Sequence, residues 1–318
     1  MTQLTASEAA KQYSPRPIFD VRKIAQNILR RRLWFIAFII IDIILINGIL
    51  NDPILKETWD FVIPGIGITI QITIISFVFA LVIGLVTAFG RLSRNFIVYN
   101  IATFYVELFR GLPLLVIILI FTFVITPFAT DVISGTPDTL DEAGNITAYG
   151  LPGIPFLDDT LQRIVGISEE VIPTTTIRTR DIDPIWRIMM AFALTYGAFM
   201  SEVFRAGIES IGKGQSEAAR SLGMSYVQSM RYIILPQAIR NVLPALANNF
   251  ILLLKDTSLA SAVAVPEISH LTRQYSANRF RYPQGLLVLS FLYANVTIIL
   301  SMGVNILERK LQADRRED

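Results

Sequence analysis

From Ile63 to Phe89 the chain runs for 27 residues without a charged side chain. At about 1.5 Å of helix rise per residue, such a run exceeds the roughly 30 Å hydrocarbon core of a bilayer. Lipid offers no water to satisfy backbone N–H and C=O groups, so the segment is expected to be a spanning helix. Further apolar runs recur at Leu33–Leu50, interrupted by Asp42, and at Ile101–Phe128, Trp186–Phe204, Asn241–Val265 and Gly285–Leu307, of which only the last is free of charge. The sequence therefore reads as an all-α integral membrane protein with about six transmembrane helices. Composition agrees: 53% of residues are hydrophobic and 17% are charged, against about 25% charged in an average soluble domain.

Residues 1–32 are polar and end in Arg30, Arg31 and Arg32, with no small-residue cleavage site behind the next apolar run. That pattern predicts a cytoplasmic tail ahead of a retained anchor helix over 33–50. Arg91 and Arg94, then Arg205, Lys213, Arg220, Arg231 and Arg240, then Arg309 and Lys310 all follow even-numbered spans. Their distribution places those loops, both termini and the tail over 308–318 in the cytoplasm. Arg273, Arg279 and Arg281 in the loop after the fifth span run against the rule. Ala80, Gly84 and Ala88 stand at four-residue spacing in the second span, a pattern that lets helices pack closely. In the third, Glu107, Arg110, Gly111 and Pro113 interrupt the first half, so its apolar part begins near Leu112. The long segment 129–184 carries ten acidic residues against Arg163, Arg178 and Arg180. It reads as an extracytoplasmic insert, either a docking surface or a solvated loop.

The cytoplasmic loop over 205–240 holds the most specific pattern. Glu217-Ala218-Ala219 is followed by three residues, Gly223, nine residues and Ile233-Ile234-Leu235-Pro236. Physically this is an elbow of two short helices. Ser216 is placed to cap the first, Gly223 to take the left-handed turn that ends it, and Ser225 with Gln228 to form a capping box. Pro236 is expected to stop the second helix before the fifth span. An elbow held between two spans suits a groove on a soluble partner.

These positions resemble the EAA loop of the permease family of ATP-binding-cassette importers, matching it throughout. The stretches Val106 to Leu115, Gly197 to Ile208 and Leu254 to Leu259 resemble the branch that carries polar and general amino acids. The resemblance covers about residues 63–307 and implies a five-helix core, with the helix over 33–50 an addition. It further implies that Glu217, Ala218, Ala219, Gly223, Ile233, Leu235 and Pro236 couple the chain to separate ATPase subunits. Those subunits would bind the ATP and magnesium, and no cofactor is expected in this chain. Other implied partners are a second permease, identical or homologous, an extracytoplasmic amino-acid-binding protein, the amino acid and the bilayer of a bacterial inner membrane.

Two motifs mimic other functions. Gly207 to Gly214 nearly spells a phosphate-binding P-loop, but Gly214 stands where a hydroxyl must hold magnesium, and a membrane helix precedes it in place of a strand. The same loop resembles a helix-turn-helix, yet a segment tied to the membrane at both ends has no core of its own, so no nucleic acid is expected. With no cysteine, a lone His270 and no catalytic constellation, an enzyme is disfavoured. A secondary transporter or channel is the rival reading, because it too would use intramembrane charges.

Such charges are costly, so each needs a partner or a purpose. Lys255 and Asp256 lie deep in the fifth span, beside the hydroxyls of Thr257 and Ser258. With Glu202, Asn248 and Asn249 they form a candidate substrate path, able to offer acceptors to an ammonium and donors to a carboxylate. The alternative is an interhelical Lys255–Asp256 pair that only binds the bundle. Glu107 and Arg110 form either a gate element or an interfacial pair.

Overall fold

A computed structural model describes residues 21–134, 136–140, 146–150 and 182–317 of the chain. Two compact units divide it at Glu57 and Thr58. The first contains α1 (Val21–Asn51), longer than the expected 33–50 because its helix continues back through the basic stretch. The apolar pattern marks only the part that needs lipid, not where backbone hydrogen bonding begins.

After α2 (Pro53–Val62), the second unit is built from α3 (Gly65–Arg91), α4 (Phe96–Gly111), α5 (Leu114–Ile120) and α6 (Thr126–Ser134). A wide turn of π-helix, Phe121–Ile125, joins α5 to α6. The chain bends by 107° between α4 and the helix after it. Leu112 and Pro113 form the break: Leu112 is extended, as a residue before proline prefers. The apolar run therefore does restart where the sequence indicates, but as a bent pair. Two strands, β1 (Thr136–Leu140) and β2 (Ile146–Gly150), then pair antiparallel in the insert. Most of the segment over 129–184 lies outside the described residues.

The chain continues with α7 (Pro184–Glu209), α8 (Lys213–Ser221), α9 (Tyr226–Ser229), α10 (Leu235–Asp256), α11 (Ile268–Arg279) and α12 (Tyr282–Glu317). Helix α7 overruns the expected 186–204 at both ends, with Asp183 accepting from the Ile185 amide as its cap. The fifth span begins six residues earlier than expected and ends in a 3₁₀ turn over Thr257–Val263. Likewise α12 continues past Leu307 into the C-terminal tail.

By length and composition, Pro53–Arg91 and Tyr282–Ile306 suffice to cross a membrane, and a third span results if Phe96–Gly111 and Leu114–Thr130 are taken together. Helix α7 is less apolar because it faces protein. Ile188, Met189, Phe192, Tyr196 and Met200 are all buried, and its largest packing partner is α3. Ala80, Gly84 and Ala88 make that contact possible, all three being buried. A Cβ on Gly84 would sit 2.7 Å from the Met200 Cβ, and one on Gly197 2.8 Å from Ile83. The paired glycines thus let the two backbones approach, the geometry for which small residues are suited. The outer faces of α3, α4 and α12 expose Val82, Val86, Phe96, Phe104 and Ile299, an apolar surface suited to lipid.

Candidate functional site

The elbow folds largely as its local chemistry directs. Gly223 sits at φ +77°, ending α8 in the left-handed conformation that side chains with a Cβ resist. Its amide donates to the Arg220 carbonyl at 2.9 Å, and that of Met224 to the Ala219 carbonyl at 3.1 Å. Ser225 and Gln228 form the reciprocal capping box of α9. Ala219 is buried, while Glu217 and Ala218 face outward on α8. Leu222 and Val227 are 79% and 70% exposed, and Tyr226 stands between them. The tip of the elbow is thus an exposed apolar patch on a charged loop.

Two local expectations fail. Ser216 does not cap α8: Gly212 holds that position, and the Ser216 hydroxyl donates to the Lys213 carbonyl. Pro236 does not stop the second helix. It occupies the first turn of α10, and the chain reaches it through a π-helical turn over Met230–Ile234, in which the Leu235 amide donates to the Met230 carbonyl. Proline lacks an N–H and crowds the carbonyl one turn earlier, and widening the turn accommodates both. The second arm of the elbow is therefore continuous with the fifth span, and Ile233, Leu235 and Pro236 lie along it.

The base of the elbow is closed. Asn241 Nδ2 donates to Ser210 Oγ at 3.0 Å, linking the end of α7 to the start of α10. Gly207 lies against Val242, where a Cβ would come within 2.1 Å of Cγ1. The near-P-loop of the sequence is thus the end of one helix and the start of another, without a preceding strand.

Deeper in the bundle, Asp256 pairs neither as expected nor with a neighbour in sequence. The buried Tyr196 hydroxyl donates to Asp256 Oδ2 at 2.7 Å. Lys255 points outward and is exposed, with no ion pair to Asp256 among the described residues. Successive helical residues diverge by about 100°, which separates the two side chains. Thr257 is buried and donates to the Leu254 carbonyl, Ser258 and Asn249 are part-buried, and Asn248 is exposed. Lys255 and Asp256 close α10, and the Ser258 hydroxyl follows on the 3₁₀ turn.

Glu202 lies elsewhere. Its Oε1 accepts from Arg91 Nη1 at 2.6 Å and Arg110 Nη1 at 2.9 Å, and its Oε2 from Arg205 Nη2 at 2.9 Å. Arg205 also reaches Glu209 at 2.8 Å. Arg110 thus pairs with Glu202 and not with Glu107, which is exposed. Arg91 and Arg110 sit in the last turns of their helices, where the partial negative charge of the helix end favours a cation, and Arg205 stands one turn after Glu202 on α7 itself. Sequence reading missed Tyr196 and the role of Arg91. A polar tyrosine in the small-residue stretch Thr195-Tyr196-Gly197 and an arginine closing an apolar run were the available signals.

The comparisons with known proteins agree with this architecture. The family model described as the inner membrane component of binding-protein-dependent transport systems matches residues 80–316. The probable amino-acid ABC transporter permease YckA of Bacillus subtilis is 31% identical over 82% of this chain and 94% of its own. The arginine transport system permease ArtQ of the same organism is 28% identical over 80% and 94%. The glutamate/aspartate import permease GltK of Escherichia coli O6:H1 is 30% identical over 79% and 93%. Among solved structures, an amino acid ABC transporter crystallised with histidines superposes with a TM-score of 0.59 at 25% identity, over 80% of this chain and 96% of that one. The MetNI methionine ABC transporter shares the fold at a TM-score of 0.54 and 17% identity, over 80% and 98%. The chain therefore belongs to the family of binding-protein-dependent transport system inner membrane components, the integral membrane permeases of ABC transporters.

Proposed function

We propose that the chain is the transmembrane subunit of an ATP-driven amino acid importer of a bacterial inner membrane, with both termini cytoplasmic. The observation that carries this reading is the elbow: a glycine-terminated two-helix tip, apolar at Leu222, Tyr226 and Val227, rooted in two bundle helices. A rocking partner seated on that tip would move α7 and α10 directly. The partner is a separate ATPase subunit, which binds the ATP and magnesium. A second permease, identical or homologous, completes the translocation path, and an extracytoplasmic binding protein delivers the substrate over the segment 129–184. An amino acid substrate is supported by the names of the relatives, from arginine to glutamate/aspartate permeases.

Within the path, Asp256 is the acceptor for the substrate ammonium, while Lys255 and the hydroxyls of Thr257 and Ser258 serve the carboxylate. Asn248 and Asn249 line the approach about two turns earlier on α10. The test is reconstitution of the purified complex in proteoliposomes, with ATP-driven uptake of a panel of labelled amino acids. Gly223→Val places a β-branched residue at φ +77°, a strain of about 1–3 kcal/mol that should distort the tip and not the bundle. Uptake should fall at least about tenfold, with bundle unfolding temperature retained; Glu217→Lys should act in the same direction. Full ATP-driven uptake by both variants would refute the coupling role.

A further inference from the structure

We propose that Glu202 is a positioning residue for energy coupling: it binds Arg91, Arg110 and Arg205 at once, so the C-terminal ends of α3, α4 and α7 move as one body with the elbow. The inference rests on the elbow reading above and extends it to two helices that the elbow does not touch in sequence. Glu202 lies two turns before the end of α7, and only Ser210, Ile211 and Gly212 separate that helix from α8. The elbow's other arm is tied to α7 by the Asn241–Ser210 hydrogen bond and the Gly207–Val242 contact. Motion at the elbow thus reaches α7 and α10 through the chain itself. Packing along α7 carries it to α3 and α4, and at their C-terminal ends one carboxylate fixes both to α7.

The geometry suits a rigid link more than a surface pair. Arg91 is 10% exposed and Glu202 is 23% exposed, so two of the charges are largely withdrawn from water, where ion pairs are screened less. Both carboxylate oxygens are used, and they reach partners 111 and 92 residues away in addition to the one on their own helix. The ends of α3 and α4 meet here with like partial charge, and the three arginines would otherwise repel one another. The single carboxylate reverses that balance. It is also the residue whose loss would leave three cations facing each other, with Glu209 in reach of Arg205 alone among the described residues.

The chain contains no cysteine, so paired spin labels can be introduced without background. Gly111, where an added Cβ meets nothing within 4 Å, reports the end of α4, and exposed Gln215 reports the elbow. Both are replaced by labelled cysteine in the full complex with its ATPase, and distances are measured by pulsed electron resonance before and after trapping with ATP, magnesium and vanadate. In the otherwise unchanged chain the distance should be the same in both states. In Glu202→Gln it should shift or broaden on trapping by at least about 2 Å, the scale of helix displacement at an interface. Arg110→Gln, which leaves Arg91 and Arg205 on Glu202, should release α4 in the same way should the first variant assemble poorly. Glu202→Asp, which keeps the charge, should lie closer to the parent than Glu202→Gln does.

A parental distance that changes on trapping would overturn the proposal, since the ends would not form one body. So would a Glu202→Gln complex of lowered thermal stability whose distance stays constant, because Glu202 would then only bind the bundle. Either result leaves the elbow reading standing; full ATP-driven uptake by Gly223→Val would sink the elbow reading instead, and the link with it.

Discussion

Asp256→Asn separates a substrate contact from a structural one. The native hydrogen bond, Tyr196 hydroxyl to Asp256 Oδ2 at 2.7 Å, has a charged acceptor. Such bonds contribute about 1.5–3 kcal/mol, and neutral ones about 0.5–1.5 kcal/mol. Asparagine keeps an acceptor of the same size in reach of Tyr196, so the loss to the fold is about 1 kcal/mol, offset in part because a half-buried charge has been removed. A substrate ammonium about 4 Å from the carboxylate at an effective dielectric near 20 gains about 4 kcal/mol. Losing even half of that lowers uptake below saturation by about thirtyfold.

The assay is paired: the unfolding temperature of the purified complex, and ATP-driven uptake per assembled complex. Asp256→Asn should leave the first nearly unchanged and reduce the second at least tenfold, a factor equivalent to about 1.4 kcal/mol. Tyr196→Phe should show the opposite balance. It removes the donor from a buried site and leaves the carboxylate short of a partner, at about 1–3 kcal/mol of stability. Uptake within about twofold of the parent in Asp256→Asn, a difference of under 0.5 kcal/mol, would refute the substrate contact and leave the Tyr196–Asp256 pair as packing.

Three further variants test the packing of the bundle. Gly84→Val drives a side chain into Met200, 2.7 Å from the first atom added, and should cost about 1–3 kcal/mol, read as a lower unfolding temperature of the detergent-solubilised protein. An unchanged temperature would mean that α3 and α7 are not held at this separation. Glu267 is fully buried and caps α11, accepting from the Ser269 and His270 amides and from the Tyr293 hydroxyl. Glu267→Ala orphans three donors and should destabilise by about 1–3 kcal/mol in the same measurement, whereas Glu267→Gln, which keeps an acceptor, should cost less. Equal effects of the two would show that an uncharged acceptor does not serve as the cap and that the carboxylate charge is what the site requires.

What could be read from the sequence was what neighbours in sequence decide. The bilayer imposes long apolar helices, and no tertiary contact is needed to recognise Ile63–Phe89 as one. The elbow was legible for a similar reason: Gly223 ends α8, and Ser225 with Gln228 starts α9, through hydrogen bonds that span three to five residues. Even here, Pro236 misled, because a local rule about proline in α-helices does not foresee a π-turn that absorbs it. The charged residues were legible as functional candidates but not as pairs. Lys255 and Asp256 are adjacent in sequence and diverge on the helix. Glu107 and Arg110, three apart, do share a face, yet Arg110 binds Glu202 instead. The preference has a physical cause: Glu107 is exposed and solvated, while Glu202 is partly withdrawn from water and already beside Arg91, where a further cation adds hydrogen bonds to a carboxylate that must be satisfied. Tyr196 finds Asp256 across sixty residues by the same logic, a buried hydroxyl requiring an acceptor, which α10 supplies. Polar pairing inside a membrane bundle is therefore decided by which helix ends meet. That depends on contacts such as Gly84 against Met200, far from the charges and written in the smallest side chains of the sequence.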